Sequence, residues 1–164
     1  MKTALPQRVF LLYLLLTFYC FGAAMMNEFV EYQSWADLGQ YISASDFGKW
    51  HAATSQAMIP FLVLPMVLLT LVALSLIWFL PAWIPRWMLW LVLGCHVIAW
   101  LSTLLIQVPI ELQLDQQGYS SPLMQRLLTM DWLRKGAFFV EIPVALWMAS
   151  YWLKRTNSLL RVEV

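Results

Sequence analysis

The chain has 164 residues, of which 62% are hydrophobic and 12% charged, and its formal net charge at pH 7 is +1. Soluble domains are usually about half apolar and about a quarter charged, so this composition indicates a membrane protein. The near-neutral charge gives no argument for nucleic-acid binding, and we expect no nucleic-acid partner. Lys154 and Arg155 follow an apolar segment, which is typical of membrane-flanking anchors.

Four apolar segments follow one another along the chain, at about 9–29, 57–83, 87–108 and 136–153. Segments of about 18 or more mostly apolar residues are typical of membrane spans. Helices are favoured because each one satisfies its own backbone hydrogen bonds in lipid, and these segments are too uniformly apolar for barrel strands. We therefore predict an all-α fold, a four-transmembrane-helix bundle in which residues 1–164 form one integral membrane domain.

The second span carries a start signal outside its apolar part. Ser43 and Asp46 stand three residues apart, as in a capping box, so we expect this helix to begin near residue 45. Pro60 and Pro65 fall inside the span and should kink it, because proline interrupts the hydrogen-bond ladder.

The later elements are marked by glycine and proline. Pro109 is expected to end the third span. Residues 118–122 form a predicted turn, and an amphipathic piece at 123–130 leads into the fourth span. Pro143 should kink that last helix near Glu141.

Basic residues mark one side of the membrane: Lys2, Arg8, Arg86, Lys154, Arg155 and Arg161. The positive-inside rule then predicts that both termini and the 81–87 turn are cytoplasmic. In a bacterium this places the protein in the inner membrane, with the loops 30–56 and 109–135 in the periplasm. The alternative is a signal peptide cleaved after Ala24, which would leave three spans. We favour retention, since the apolar stretch before Gly22 is long enough to act as an anchor.

The remaining strong charges gather near the opposite helix ends. Carboxylates, one histidine and one arginine in such a bundle can meet and bind a ligand, hold a cation or exchange protons. Glu141 lies about five residues inside an apolar span, where an ionisable group is a functional hypothesis by default; we expect it to pair with Arg134, His51 or a bound cation. Asp131 and Arg134 form an i,i+3 pair. The candidate polar cluster comprises Glu28, Glu31, His51, Gln107, Glu111, Asp131, Arg134 and Glu141.

The second histidine and the tryptophans at segment ends are predicted to have structural roles. His51 and His96 are expected about 25 Å apart along the membrane normal, too far to share one haem iron. His96 is therefore predicted to pack and hydrogen-bond within the bundle, and the alternative is a buried ligand or a proton relay. Six tryptophans at segment ends are predicted to form interfacial belts: Trp35, Trp50, Trp83, Trp87, Trp132 and Trp152.

No complete cofactor or catalytic motif is present. The chain has no CxxC, HExxH, GxSxG or Gly-rich phosphate loop, and its two cysteines, Cys20 and Cys95, are interpreted as small apolar residues inside spans. We therefore assign no catalytic residue, no metal and no cofactor from these residues.

Three short stretches are similar to motifs of a family of small bacterial four-helix membrane proteins. They are 46–51 (DFGKWH), 106–114 (IQVPIELQL, with a QVP motif) and 126–134 (RLLTMDWLR, with a DW-x-R motif). More distantly, the chain resembles the DUF1772 and anthrone-oxygenase-like membrane proteins. The resemblance implies a four-helix bundle with these residues at motif positions: His51, Gln107, Pro109, Trp132 and Arg134. Glu28, Tyr32 and Glu111 depart from the family pattern.

Three functions remain open at this point. The first is a membrane protein whose outer polar cluster binds a ligand or a partner subunit. The second, implied by the resemblance, is a small oxidoreductase or oxygenase acting on a hydrophobic substrate. The third is a subunit of a transport complex. The expected partners are the lipid bilayer and either a hydrophobic small molecule or another membrane protein.

Overall fold

The structure, a computed structural model, describes residues 4–160, and the side chains of residues 4–155. Within that part the fold contains helices and no strand. The four long helices, here called helices one to four, are Ala4–Leu38, Ala44–Phe79, Arg86–Gln117 and Ser121–Arg155, and each is long and apolar enough to cross a membrane. The predicted all-α architecture with four spanning helices is confirmed. Lys2 and Arg161, which contributed to the predicted topology, lie outside the described residues.

Each of the first three long helices contains one π-helical turn between two α-helical segments. Helix one consists of Ala4–Met26, the π turn Asn27–Glu31, and Tyr32–Leu38; helix two of Ala44–Met58, the π turn Ile59–Val63, and Leu64–Phe79; helix three of Arg86–Ser102, the π turn Thr103–Gln107, and Val108–Gln117. In helix four the single residue Asp131 separates Ser121–Met130 from Trp132–Leu160.

The helix starts follow local sequence signals. Helix two begins at Ala44, and the Ser43 hydroxyl oxygen accepts a hydrogen bond from the Asp46 backbone N–H at 3.2 Å. The Ser43 hydroxyl in turn donates to the Asp46 carboxylate at 2.7 Å. These contacts satisfy an otherwise unpaired N–H of the first turn, so the predicted start near residue 45 is confirmed.

Pro109 does not end helix three, as the sequence had led us to expect. The helix continues to Gln117, and Pro109 is the second residue of its last α-helical segment, directly after a π turn. Pro60 lies inside the π turn of helix two. A proline ring clashes with the carbonyl four residues earlier, and the wider π turn relieves that clash without breaking the helix. The two prolines therefore reshape their helices instead of terminating them.

The spanning parts of the helices form a four-membered ring in which helix one packs on helix two and helix three packs on helix four. Their apolar core includes Phe10, Leu69, Leu76, Val92 and Met148. Large apolar side chains on the outer surface are exposed, among them Leu15, Leu71, Leu101 and Leu146. Such a surface is stable only against lipid or another apolar partner.

A second apolar cluster closes the bundle at the end where the candidate polar residues lie. It consists of Tyr32, Trp35, Phe47, Ile110, Leu114, Met124 and Leu127. Trp35, expected in an interfacial belt, is instead only 2% exposed and packs on Tyr32 and His51. Trp87 and Trp132 are exposed, as residues of a belt would be.

Candidate functional site

A cavity of about 110 Å³ lies among the helix ends beneath this apolar cluster. All three π turns contribute to its wall, through Asn27, through Leu62 and Val63, and through Thr103. Arg134 of helix four and Glu111 of helix three also line it. π turns inside α-helices occur frequently at functional sites, because they redirect side chains that a regular helix would place elsewhere.

Arg134 is the central cation of this cavity. It is buried, and its Nη2 lies 2.6 Å from Asp131 Oδ1, so the predicted i,i+3 pair is confirmed. The same Nη2 donates to the Tyr32 hydroxyl at 3.3 Å, and that hydroxyl donates to Glu111 Oε1 at 3.3 Å. A continuous chain of polar contacts thus joins Asp131, Arg134, Tyr32 and Glu111 across helices one, three and four.

A second set of buried groups also contacts Asp131. Gln107 Nε2 donates to Asp131 Oδ1 at 2.7 Å. The Lys135 ammonium pairs with Glu28 Oε1 and lies 3.9 Å from Asp131 Oδ2. Glu28, Gln107, Asp131 and Lys135 are all buried. Burying charges is costly unless they are paired, and here the two carboxylates are matched by Lys135 and Arg134.

His51 forms a separate pair at the edge of this region. Its Nδ1 lies 2.6 Å from Asp115 Oδ1. The ring is fully buried, stacked on Phe47 and set edge-on to Trp35, with centroid distances of 5.6 and 4.3 Å. When Nδ1–H donates to Asp115, Nε2 carries a lone pair, and this buried atom has no hydrogen-bond partner among the described residues.

Two hydrogen-bond donors in the cavity wall also lack partners. Trp35 Nε1 and Ser55 Oγ are buried, line the cavity and make no hydrogen bond within the described part of the chain. An unsatisfied buried donor costs about 1–3 kcal/mol, so native proteins usually pair such groups with protein, water or ligand. A water molecule or a ligand group that accepts hydrogen bonds in the cavity would satisfy these two donors.

Glu141 does not pair with Arg134 or His51, contrary to our expectation. Its Oε1 accepts a hydrogen bond from the Tyr13 hydroxyl at 3.2 Å and lies 3.4 Å from His96 Nε2. The reason is its depth: Glu141 lies almost two helical turns beyond Arg134, which at 1.5 Å per residue is about 10 Å along the helix. It therefore belongs to a second polar network inside the apolar part of the bundle.

Glu31 also lies apart from the cavity. Its half-buried side chain lines a groove of about 470 Å³ between helices one and two, on the outer surface of the bundle. Of the eight candidate residues, the structure brings together Glu28, Gln107, Glu111, Asp131 and Arg134 directly. His51 adjoins the cavity through Trp35, whereas Glu31 and Glu141 occupy other places.

Sequence reasoning overlooked several functional candidates: Tyr13, Tyr32, Trp35, Ser55, Asp115 and Lys135. A signal existed for two of them. Asp115 stands four residues after Glu111 and so shares its helix face, and Lys135 stands four residues after Asp131. The others carry no local signal, because a lone tyrosine, tryptophan or serine near a span is ordinary.

Within the described residues, no three His, Cys, Asp or Glu side chains are grouped closely enough to hold a metal ion. The four long apolar helices define a multi-pass membrane protein with a buried, charge-lined cavity at one end of the bundle. In comparisons with protein-family models, curated proteins and solved structures, none matches this chain.

Proposed function

We propose that this protein binds a membrane-soluble molecule whose uncharged polar head occupies the 110 Å³ cavity. The observation that carries the proposal is the convergence of three π turns on one cavity whose wall holds unpartnered donors, Trp35 Nε1 and Ser55 Oγ. Single π turns are often found at binding sites. Three π turns that line the same cavity therefore favour a binding function for that cavity.

The charges around the cavity favour an uncharged head. Arg134 is already paired with Asp131, and Lys135 with Glu28. An anionic head would lie beside the Glu111 carboxylate with no unpaired cation in the cavity wall, which is costly in an apolar surrounding, and a cationic head could not accept hydrogen bonds from Trp35 and Ser55. The head should instead accept hydrogen bonds from Trp35 and Ser55. A carbonyl or hydroxyl group fits this requirement, and the volume admits about four groups of the size of water.

The lipid-facing groove between helices one and two favours an apolar tail on the same molecule. This groove shares Asn27, Met58 and Leu62 with the cavity wall, and it is otherwise mainly apolar and aromatic, with Phe18 and Phe61. A head in the cavity would therefore connect to a tail that lies against the bilayer. This division matches small-molecule sites, in which apolar surface supplies affinity and a few polar groups fix orientation.

The experiment compares molecules that co-purify with the protein. Ser55→Leu should fill the cavity, whereas Ala53→Leu adds the same side chain at an exposed position of the same helix. After extraction into detergent and washing, mass spectrometry of the bound organic fraction should show a molecule retained by the wild type and Ala53→Leu but lost from Ser55→Leu. Thr103→Leu, in the third π turn, should reproduce the loss. Identical bound fractions in all four proteins would contradict the proposal.

We propose further that both termini are cytoplasmic and that the cavity opens toward the periplasmic side of a bacterial inner membrane. The support is the basic flank formed by Arg8, Arg86, Lys154 and Arg155 at the opposite helix ends. This orientation is checked with the single variants Tyr41→Cys and Trp87→Cys, both at exposed positions. Intact cells are treated with a membrane-impermeant maleimide, and Tyr41→Cys alone should react. The oxidoreductase, oxygenase and transport-subunit alternatives stay predictions, since no observation on the described residues favours them.

A further inference from the structure

A second polar network lies inside the apolar part of the bundle, away from the proposed ligand. His96 contacts Glu141 of helix four through Nε2 and Thr70 of helix two through Nδ1, the latter at 2.9 Å from the threonine hydroxyl. Tyr13 of helix one donates to the same Glu141 oxygen. His96 and Glu141 are 4% and 3% exposed. Four helices thus meet around two titratable groups that the proposed ligand does not touch.

The distances around Thr70 fit two arrangements of hydrogen-bond donors and acceptors. The Thr70 hydroxyl has one proton and can donate it either to His96 Nδ1 or to the Met66 carbonyl, both at 2.9 Å. Trp100 Nε1–H donates to the same oxygen at 2.9 Å. In the first arrangement Nδ1 is an acceptor, so neutral His96 carries its proton on Nε2, which lies 3.4 Å from Glu141 Oε1 but makes no hydrogen bond within the described residues. In the second, Nδ1–H donates to Thr70 and Nε2–H still faces Glu141, so His96 is an imidazolium.

The two arrangements differ by one proton and by a rotation of the Thr70 hydroxyl, with no change in the backbone. The protonated pair is neutral overall, whereas the deprotonated pair leaves a single negative charge in an apolar surrounding, which is costly. Among the residues whose side chains the structure describes, no lysine or arginine forms an ion pair with Glu141. The titratable groups that face it are Tyr13 and Cys20 of helix one and Cys95 of helix three, while helix two contributes only the neutral Thr70. On helix four the nearest cation, Lys135, is engaged by Glu28.

A small cavity that is lined by neighbours of this network, though not by Thr70, His96 or Glu141 themselves, adjoins the outer cavity. This cavity of about 40 Å³ is lined by Met66 and Trp100, which are both partners of Thr70, and by Arg134. It shares Leu62, Val63, Thr103 and Arg134 with the wall of the 110 Å³ cavity. Its volume is sufficient for one water molecule.

We propose that the His96–Glu141 pair is an intramembrane proton-binding site that exchanges protons through the outer cavity, with Thr70 as the hydroxyl that switches between the two states. The step is a simple protonation. One proton from a hydronium ion of the aqueous phase is added to His96 Nδ1 and a water molecule is released, the Thr70 hydroxyl turns to the Met66 carbonyl, and Glu141 stays a carboxylate. This site does not depend on the proposed ligand.

The chain offers a direct measurement, because it contains only two histidines. In protein labelled with ¹⁵N-histidine and reconstituted in lipid nanodiscs, ¹⁵N NMR reports the tautomer and charge of each imidazole, and a His51→Asn sample assigns the signals. We expect His96 to pass between the neutral Nε2–H form and the imidazolium as the pH is lowered, without movement of the backbone amide signals. A His96 signal that stays in one state over the pH range in which the fold persists would overturn the proposal.

Variants of Glu141 and Thr70 distinguish a specific loss of proton binding at His96 from a general loss of packing. Glu141→Gln removes the negative charge, so His96 should bind its second proton at least about tenfold less tightly. Thr70→Ala should also weaken proton binding, since the imidazolium then has an unpartnered buried Nδ1–H, and Thr70→Ser should restore it. A His96 titration unchanged in both Glu141→Gln and Thr70→Ala would reject the assigned pair.

The proposed path of the proton through the outer cavity is tested in a separate experiment. Thr103→Phe should obstruct both cavities and slow exchange between the His96 imidazole and water, as measured by saturation transfer. Leu104→Phe, at an exposed neighbouring position, is the matched control and should leave the rate unchanged. Equal exchange rates in these two variants would overturn the route through the outer cavity. The His96 titration and its Glu141→Gln and Thr70→Ala variants involve no residue of the ligand cavity, so their failure is distinguishable from failure of the proposed binding function.

Discussion

His51 and Asp115 are 64 residues apart in the sequence, yet His51 Nδ1 lies 2.6 Å from Asp115 Oδ1, where helix two meets helix three. His51 is fully buried and Asp115 is 25% exposed. The contact fixes the orientation of the imidazole and leaves its Nε2 without a partner among the described residues. It therefore links the stability of the helix ends to the position of a buried base beside the cavity.

Replacement of Asp115 by Asn should destabilise the outer end of the bundle. A hydrogen bond to a charged group contributes about 1.5–3 kcal/mol, and the amide retains only part of that interaction, so we expect a loss of about 1–2 kcal/mol. Asp37→Asn, at an exposed position, is the control and should have little effect. Unfolding in mixed detergent micelles, followed by circular dichroism, measures the difference. Equal stability of both variants would show that the His51 contact contributes nothing to the fold.

The Glu28–Lys135 pair should behave as a buried ion pair. Lys135→Met alone leaves the Glu28 carboxylate buried without its main cation, which typically costs about 3–5 kcal/mol. The double variant Glu28→Gln with Lys135→Met removes both charges and should recover much of that loss. A double-mutant cycle in the same unfolding assay gives the coupling free energy between Glu28 and Lys135. Additive effects of the two single variants would mean that the two groups do not interact.

Arg134→Lys should reduce ligand binding in the cavity, although the positive charge is kept. Arg134 Nη2 contacts both Asp131 and Tyr32, and the planar guanidinium fixes the directions of its two N–H bonds, whereas the lysine ammonium ends a shorter, flexible stem whose donors have no fixed direction. We expect loss of the Tyr32 contact and a reduced amount of the co-purified molecule. Lys49→Arg, on the outer part of helix two, controls for exchange of the two basic residues. A bound fraction that is unchanged in Arg134→Lys would show that the fork geometry of Arg134 is not needed.

The parts of this protein that were predictable from sequence depend on local spacing. The span count follows from the apolar runs, the start of helix two from Ser43 and Asp46, and the Asp131–Arg134 pair from an i,i+3 separation. In each case the interacting residues lie within one turn of the same helix. Local geometry alone is then sufficient.

The partners of Glu141 were not predictable, because they depend on how four helices rotate about their axes. Tyr13 lies 128 residues away in the sequence, and no periodicity states which face of helix one it occupies in the bundle. The π turns pose a related difficulty. Two of them accompany Pro60 and Pro109, but the turn Asn27–Glu31 contains no proline and has no sequence signal that we recognise. Each π turn changes the face on which every later residue of its helix lies.

Pro109→Ala tests whether such a turn shapes the cavity. Alanine restores an N–H that can donate to the Leu105 carbonyl, so helix three can adopt a regular α-helical path through residues 103–107. This change would rotate Thr103 relative to the residues after the turn, so that either the cavity wall or the contacts of Glu111 with Tyr32 and of Asp115 with His51 are lost. The bound molecule should then be lost, and the unfolding assay shows whether the outer helix contacts are lost with it. Pro122→Ala, at the start of the Ser121–Met130 segment, removes a proline where the helix has no earlier carbonyl to satisfy, and it should leave binding intact. Retention of the molecule by Pro109→Ala would mean that the third π turn does not determine the shape of the site.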